Sequence, residues 1–136
     1  MFRCVLRFLR RWWPSAVCLG VVLYATLWPD PLPEGGGFFF PGYDKFIHAV
    51  MMGGLSAAIL FDLRRAGFCL SARRVATVSL VVVVFAVADE VAQRYLTAVR
   101  SWEILDILAG WGGIVIAAFA APPVIRLIFK SKPNRA

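Results

Sequence analysis

Residues 75–96 read VATVSLVVVVFAVADEVAQRYL, and this stretch decides the class of fold. No residue from Val75 to Ala88 is charged. Spanning a hydrocarbon layer of about 30 Å takes roughly 20 apolar residues at a rise of 1.5 Å each, so the run predicts a transmembrane helix. Near its end the same run carries Asp89, Glu90, Gln93 and Arg94. Counted from Val75, Glu90 lies about 22 Å along the helix, within the last third of the membrane. Two adjacent acids at that depth need partners.

Three further apolar runs lie around this one, at residues 13–28, 46–61 and 104–129. The chain of 136 residues is 60% hydrophobic and only 17% charged, too apolar for a soluble domain of one domain's length to hide. The expectation is therefore an all-α integral membrane protein, a four-helix transmembrane bundle forming a single domain over residues 1–136. The first two runs are short and draw on interfacial residues such as Trp12, Trp28 and Tyr43 at their ends.

The charges orient the bundle. The net charge is +7, but the basic residues come in separated groups between apolar runs, which argues against a nucleic-acid surface. Arg3, Arg7, Arg10 and Arg11 precede the first helix. Arg64, Arg65, Arg73 and Arg74 lie between the second and third, and Arg126, Lys130, Lys132 and Arg135 follow the fourth. Short cytoplasmic loops retain lysine and arginine, so both termini are placed in the cytoplasm of a bacterial inner or plasma membrane. Of the eight acids only Asp62 joins the basic groups. The first apolar run resembles a signal peptide, but no A-x-A-like cleavage site follows it, and an uncleaved helix is expected. Cys4, Cys18 and Cys69 share no metal-ligand spacing and are read as free thiols.

Local signals add detail. Residues 29–43 hold four prolines, three glycines in a row and Phe38, Phe39 and Phe40, which excludes a long helix. Such a loop lies on the headgroup region or packs on the bundle. Residues 62–74 read as a basic turn containing Gly67, with Ser71 placed to cap the third helix. Ala49, Gly53 and Ala57 recur every fourth residue on the second helix, and Ala109, Gly113, Ala117 and Ala121 do so on the fourth, a pattern that lets helices approach closely.

Polar residues gather at one membrane face. Asp44-Lys45-Phe46-Ile47-His48 opens the second helix and puts Asp44 and His48 one turn apart on the same face. His48 is the chain's single histidine. On the third helix Asp89, Glu90 and Gln93 share a groove, and Arg100 and Asp106 follow near the start of the fourth. In lipid such ionisable groups are costly and tend to be kept for function. The purely structural alternative is that Glu90 pairs with Arg94, or Asp89 with a neighbouring helix, to satisfy buried charge.

Asp44, Lys45, His48, Glu90, Gln93, Arg100 and Asp106 follow the pattern D-K-x-x-H, then E-x-x-Q, an arginine and an aspartate, which resembles the VanZ-like membrane proteins over residues 24–118. That family often has an asparagine one turn after the aspartate, where this chain has Gly110. The resemblance implies a multi-pass membrane protein under a family label of teicoplanin resistance, and no settled reaction. Three functions stay open. In the first, Asp44, Lys45, His48, Asp89, Glu90, Gln93, Arg100 and Asp106 form an outward pocket for an anionic lipid or glycolipid headgroup, with Lys45 and Arg100 on its phosphate or carboxylate. In the second, an enzyme acts on an envelope lipid, with Glu90 or His48 as general base. The third is a proton-coupled transporter, for which four short helices leave little room unless protomers assemble as a homo-oligomer. No cofactor, metal or nucleic acid is expected.

Overall fold

The structure, a computed structural model, describes residues 2–27, 42–96 and 103–130, with the side chains of the first helix described from Arg11 onward. It is all-helical: α1 (Phe2–Leu27), α2 (Tyr43–Arg65), α3 (Ala72–Leu96) and α4 (Ile104–Lys130). The last three are long and apolar enough to cross a membrane. Their outward faces suit lipid: Phe119 is 80% exposed and Ile116 67%. In water an unbroken apolar surface of this kind would aggregate, whereas hydrocarbon solvates it without cost.

Each helix runs beyond its apolar stretch. α2 begins three residues before the expected Phe46 and continues through Asp62, Leu63, Arg64 and Arg65. Helical hydrogen bonding does not require apolar side chains, and at a membrane surface the charged ends stay solvated while the backbone coils on. α2 closes on Gly67, which takes the left-handed conformation (φ 89°). The Gly67 N–H donates to the Arg64 carbonyl at 3.0 Å and the Phe68 N–H to the Leu63 carbonyl at 3.1 Å, the paired bonds of a Schellman cap. The expected basic turn is thus cut down to residues 66–71. Ser71 lies at the start of α3, its Oγ 3.4 Å from the Arg74 amide.

α1 is interrupted. Trp12 leaves the helical region (φ −112°, ψ 19°) two residues before Pro14. Proline lacks an N–H and its ring collides with the carbonyl one turn earlier, so the helix has to restart there. The piece after the break spans about 22 Å at 1.5 Å per residue, short of the hydrocarbon thickness.

Packing centres on α2, which contacts the other three helices, while α1 and α4 do not touch among the described residues. The α2–α4 seam is the closest, and it runs along the expected small-residue stripes. A methyl group placed on Gly53 would come within 2.7 Å of the Gly113 carbonyl oxygen, and one on Gly113 would overlap the Ala49 carbonyl. Without a hydrophobic force between helices in lipid, such close backbone approach supplies the dispersion contacts that hold them. Val22, Met52, Leu55, Leu60, Val82 and Ile114 fill the interior between these seams.

Candidate functional site

Charged side chains collect at the two ends of the bundle, and at the basic end they form a network as well as a charge pattern. At the basic end Asp62, completely buried, accepts the Ser15 N–H at 3.0 Å and the Ser15 hydroxyl at 2.7 Å on Oδ2. Arg65 approaches its Oδ1 at 3.4 Å. The broken α1 therefore receives the N-terminal cap that its own sequence does not provide, from the neighbouring helix. Arginines from three helices tie down the α2–α3 connection: Arg11 of α1 donates to the Ala66 carbonyl at 2.6 Å, Arg74 of α3 to Cys69 at 2.8 Å, and Arg126 of α4 to Leu70 at 2.9 Å. The basic residues thus hold structure as well as charge. Cys18 and Cys69 are free thiols, as expected, and Cys4 lies outside the residues with described side chains.

At the acidic end, the first turns of α2 and α4 and the last turns of α3 converge. Lys45 is the hub. Its Nζ donates to Asp44 Oδ2 at 2.9 Å and Glu103 Oε2 at 3.0 Å, and lies 3.5 Å from Asp106 Oδ1. Behind it the His48 Nε2 is 3.9 Å from Asp106 Oδ2, too long for a hydrogen bond. Glu90 accepts the backbone N–H of Glu103 at 3.1 Å, which fixes the approach to α4 against α3. His48 and Glu90 are buried, and one ligating atom from each of His48, Glu90 and Asp106 falls within 4.8 Å of the others.

Several sequence-based pairings change. Asp44 and His48 share a helix face, yet Asp44 turns to Lys45 while His48 turns to Asp106 on another helix. Glu90 meets Glu103, not Arg94, which is exposed. Asp89 and Gln93 are buried but form a separate group: Gln93 Nε2 donates to Asp89 Oδ2 at 3.2 Å, and Asp89 Oδ1 lies 2.9 Å from the hydroxyl of the buried Thr26 on α1. That hydroxyl is also 2.8 Å from the Val22 carbonyl, and its single proton serves one acceptor at a time. Arg100 and the loop at residues 29–41 lie outside the described residues.

Thr26, Glu103, Ser15 and Asp62 belong to these networks and were not singled out as site residues. Glu103 and Asp62 did carry a signal. One immediately precedes the fourth helix, and the other is the lone acid among basic groups. Ser15 and Thr26 carried none, since hydroxyl residues are common in membrane helices.

Charge at the acidic end is uneven. Asp44, Glu103 and Asp106 surround the Lys45 ammonium, and Asp89 and Glu90 on α3 add two further acids against the exposed Arg94. A separate crevice of about 370 Å³ opens between α1, α2 and α3 beside Trp12, Leu55 and Phe85. Its walls are almost wholly hydrocarbon, which suits a lipid chain and not the chemistry at the acidic end. Comparison with known protein families, curated proteins and solved structures finds no match to this chain.

Proposed function

We propose that this chain is a VanZ-like, four-span bacterial inner-membrane protein of the cell envelope, with both termini in the cytoplasm, whose acidic end recognises the headgroup of an anionic lipid or glycolipid at the outer surface. The observation that carries the reading is the convergence of Lys45, His48, Glu90 and Asp106, contributed by three helices, at the end away from the basic residues. Charge satisfaction by itself needs pairs, as at Asp62, and does not need ligand-type groups drawn from every neighbouring helix. The positive-inside rule supports the orientation. Any part in teicoplanin resistance rests on the family resemblance alone.

Lys45 is oriented by Asp44 and Glu103 while its side chain stays 31% exposed, so the ammonium is held in place and still reachable. A phosphate or carboxylate at this position would share it with those carboxylates, and Arg100 is proposed as the second cationic contact. The carboxylate excess sets a condition on this reading: an anionic headgroup must meet further positive charge here.

A second reading, an enzyme acting on the same lipid, is favoured by the buried juxtaposition of His48, Glu90 and Asp106, which provides general-base candidates beside one another. The two separate by experiment. The full chain, extracted in mild detergent and placed in lipid nanodiscs, retains anionic lipid in native mass spectrometry. Lys45→Gln lowers that retention at least fivefold. If the chain is an enzyme, Glu90→Gln abolishes turnover of that lipid. Identical lipid retention by wild type and Lys45→Gln would sink headgroup recognition. Single cysteines at Asp44 and at Gly67 test orientation: labelling of the first alone in intact cells is expected, and labelling of the second alone reverses the topology.

A further inference from the structure

The geometry points to a divalent metal site at the acidic end, formed by His48 of α2, Glu90 of α3 and Asp106 of α4, that takes a first-row transition ion of the zinc or manganese class. One imidazole with two carboxylates is a borderline donor set that suits such ions better than the all-oxygen shells of calcium or magnesium. The ligating atoms lie within 4.8 Å of one another. Bonds of about 2.0–2.2 Å place tetrahedral ligands about 3.3–3.6 Å apart, so closure onto an ion takes shifts of up to about 1 Å, within the reach of side-chain torsions.

Two further observations single out this trio. His48 has only 10% of its side chain exposed and makes no hydrogen bond among the described residues, its nearest charged atom being Asp106 Oδ2 at 3.9 Å. A largely enclosed imidazole with a carboxylate just beyond hydrogen-bond reach leaves room for a cation between the two. Asp106 presents Oδ2 to His48, while its Oδ1, without a hydrogen bond, lies 3.5 Å from the Lys45 ammonium. A second trio nearby, Asp44, Glu103 and Asp106, also has metal-ligand spacing, but the Lys45 ammonium is already seated on its three carboxylates. Anchored there by Asp44 and Glu103, Lys45 serves the outer trio and leaves His48 and Glu90 to a different cation. The Glu90 carboxylate is held in place by the Glu103 amide, which donates to its Oε1.

Three protein ligands leave coordination positions open. This part of the inference rests on the headgroup reading: a phosphate or carboxylate oxygen of the anionic lipid completes the shell, and the ion's two positive charges offset most of the carboxylate excess beside it. The metal then does what Lys45, shared among acids, does incompletely.

The full chain, purified in a non-ionic detergent without added lipid and stripped with chelator, is titrated with zinc and with manganese. Metal analysis after desalting is expected to give one ion per chain, and cobalt in its place gives a visible absorption band from nitrogen and oxygen ligands. His48→Ala and Glu90→Gln each weaken binding at least 100-fold, while Asp44→Asn changes it less than threefold. Circular dichroism confirms that each variant remains helical, and His48→Cys, which substitutes another zinc ligand, restores part of the affinity. Absence of stoichiometric binding to the folded wild type, or binding that survives His48→Ala and Glu90→Gln or is lost in Asp44→Asn, overturns the site. Anionic lipid is then added to the loaded and stripped protein. Metal binding with no metal-dependent lipid retention removes only the headgroup part, and lipid retention without any metal binding removes only the metal.

Discussion

The two ends of this molecule each enclose carboxylates, and Asp62 at one and Asp106 at the other are held differently. At the basic end Asp62 is fully buried and its oxygens are spent on Ser15 and Arg65. At the acidic end the half-buried Asp106 has one oxygen 3.5 Å from the Lys45 ammonium, without a hydrogen bond, and the other 3.9 Å from His48. A saturated buried acid rigidifies: it caps the broken α1 and joins it to α2. An undersatisfied one holds unused binding capacity. Proteins tolerate that second arrangement mainly at sites where something is to be bound.

The contrast makes ordered predictions. Asp62→Ala should cost the most, about 2–4 kcal/mol, because the Ser15 N–H, the Ser15 hydroxyl and Arg65 lose their acceptor in a buried setting. Unfolding in mixed micelles measures it. A cost no larger than that of removing an acid at the opposite end would break the comparison. Gly113→Val is next, roughly 1–3 kcal/mol, since the added methyls strike the Ala49 carbonyl across the α2–α4 seam. That seam serves both ends, so thermal denaturation should show whole-molecule loosening with no preference for either.

Asp106→Asn sharpens the comparison from the other side. Stability should move by less than about 1 kcal/mol, because the substitution removes one member of a crowded carboxylate group while it forfeits a loose ion pair with Lys45. Ion or lipid retention, not the melting temperature, should report its loss. A large stability drop would mean that Asp106 is as structural as Asp62. The smallest effect belongs to Ser56→Ala, within roughly 0.5 kcal/mol. The Ser56 hydroxyl is buried without a partner between the two ends, so its removal forfeits no bond. A cost above 1 kcal/mol would show an unrecognised partner for that hydroxyl.

Much of the framework was legible in the chain. Residues 75–96 announce a membrane-spanning helix by length and apolarity, and the charges at its ends separate a basic end from an acidic one. The stripes through Gly53 and Gly113 mark the closest seam before any coordinates are known. The boundaries were less legible: α2 extends into Arg64 and Arg65 because hydropathy falls at Asp62, while helical hydrogen bonding does not. The break at Trp12 was not anticipated, nor that Asp62, on another helix, would supply the missing cap.

For the candidate site the sequence settled membership better than partnership. Asp44, Lys45, His48, Glu90 and Asp106 do gather at one end, yet His48 faces Asp106 instead of Asp44, Asp89 and Gln93 turn away towards Thr26, and Glu103 joins them. The reason is physical. Apolar length, charge segregation and small-residue spacing are sums or periods along one chain, so the sequence by itself determines the helices, the sign of charge at each end and the faces that can pack closely. Which polar atom meets which depends on the rotation and axial offset of four helices against one another. A shift of one residue turns a side chain by about 100°, and only the tertiary packing of α2 on α4 and α3 decides that His48, Glu90 and Asp106 come to share one place.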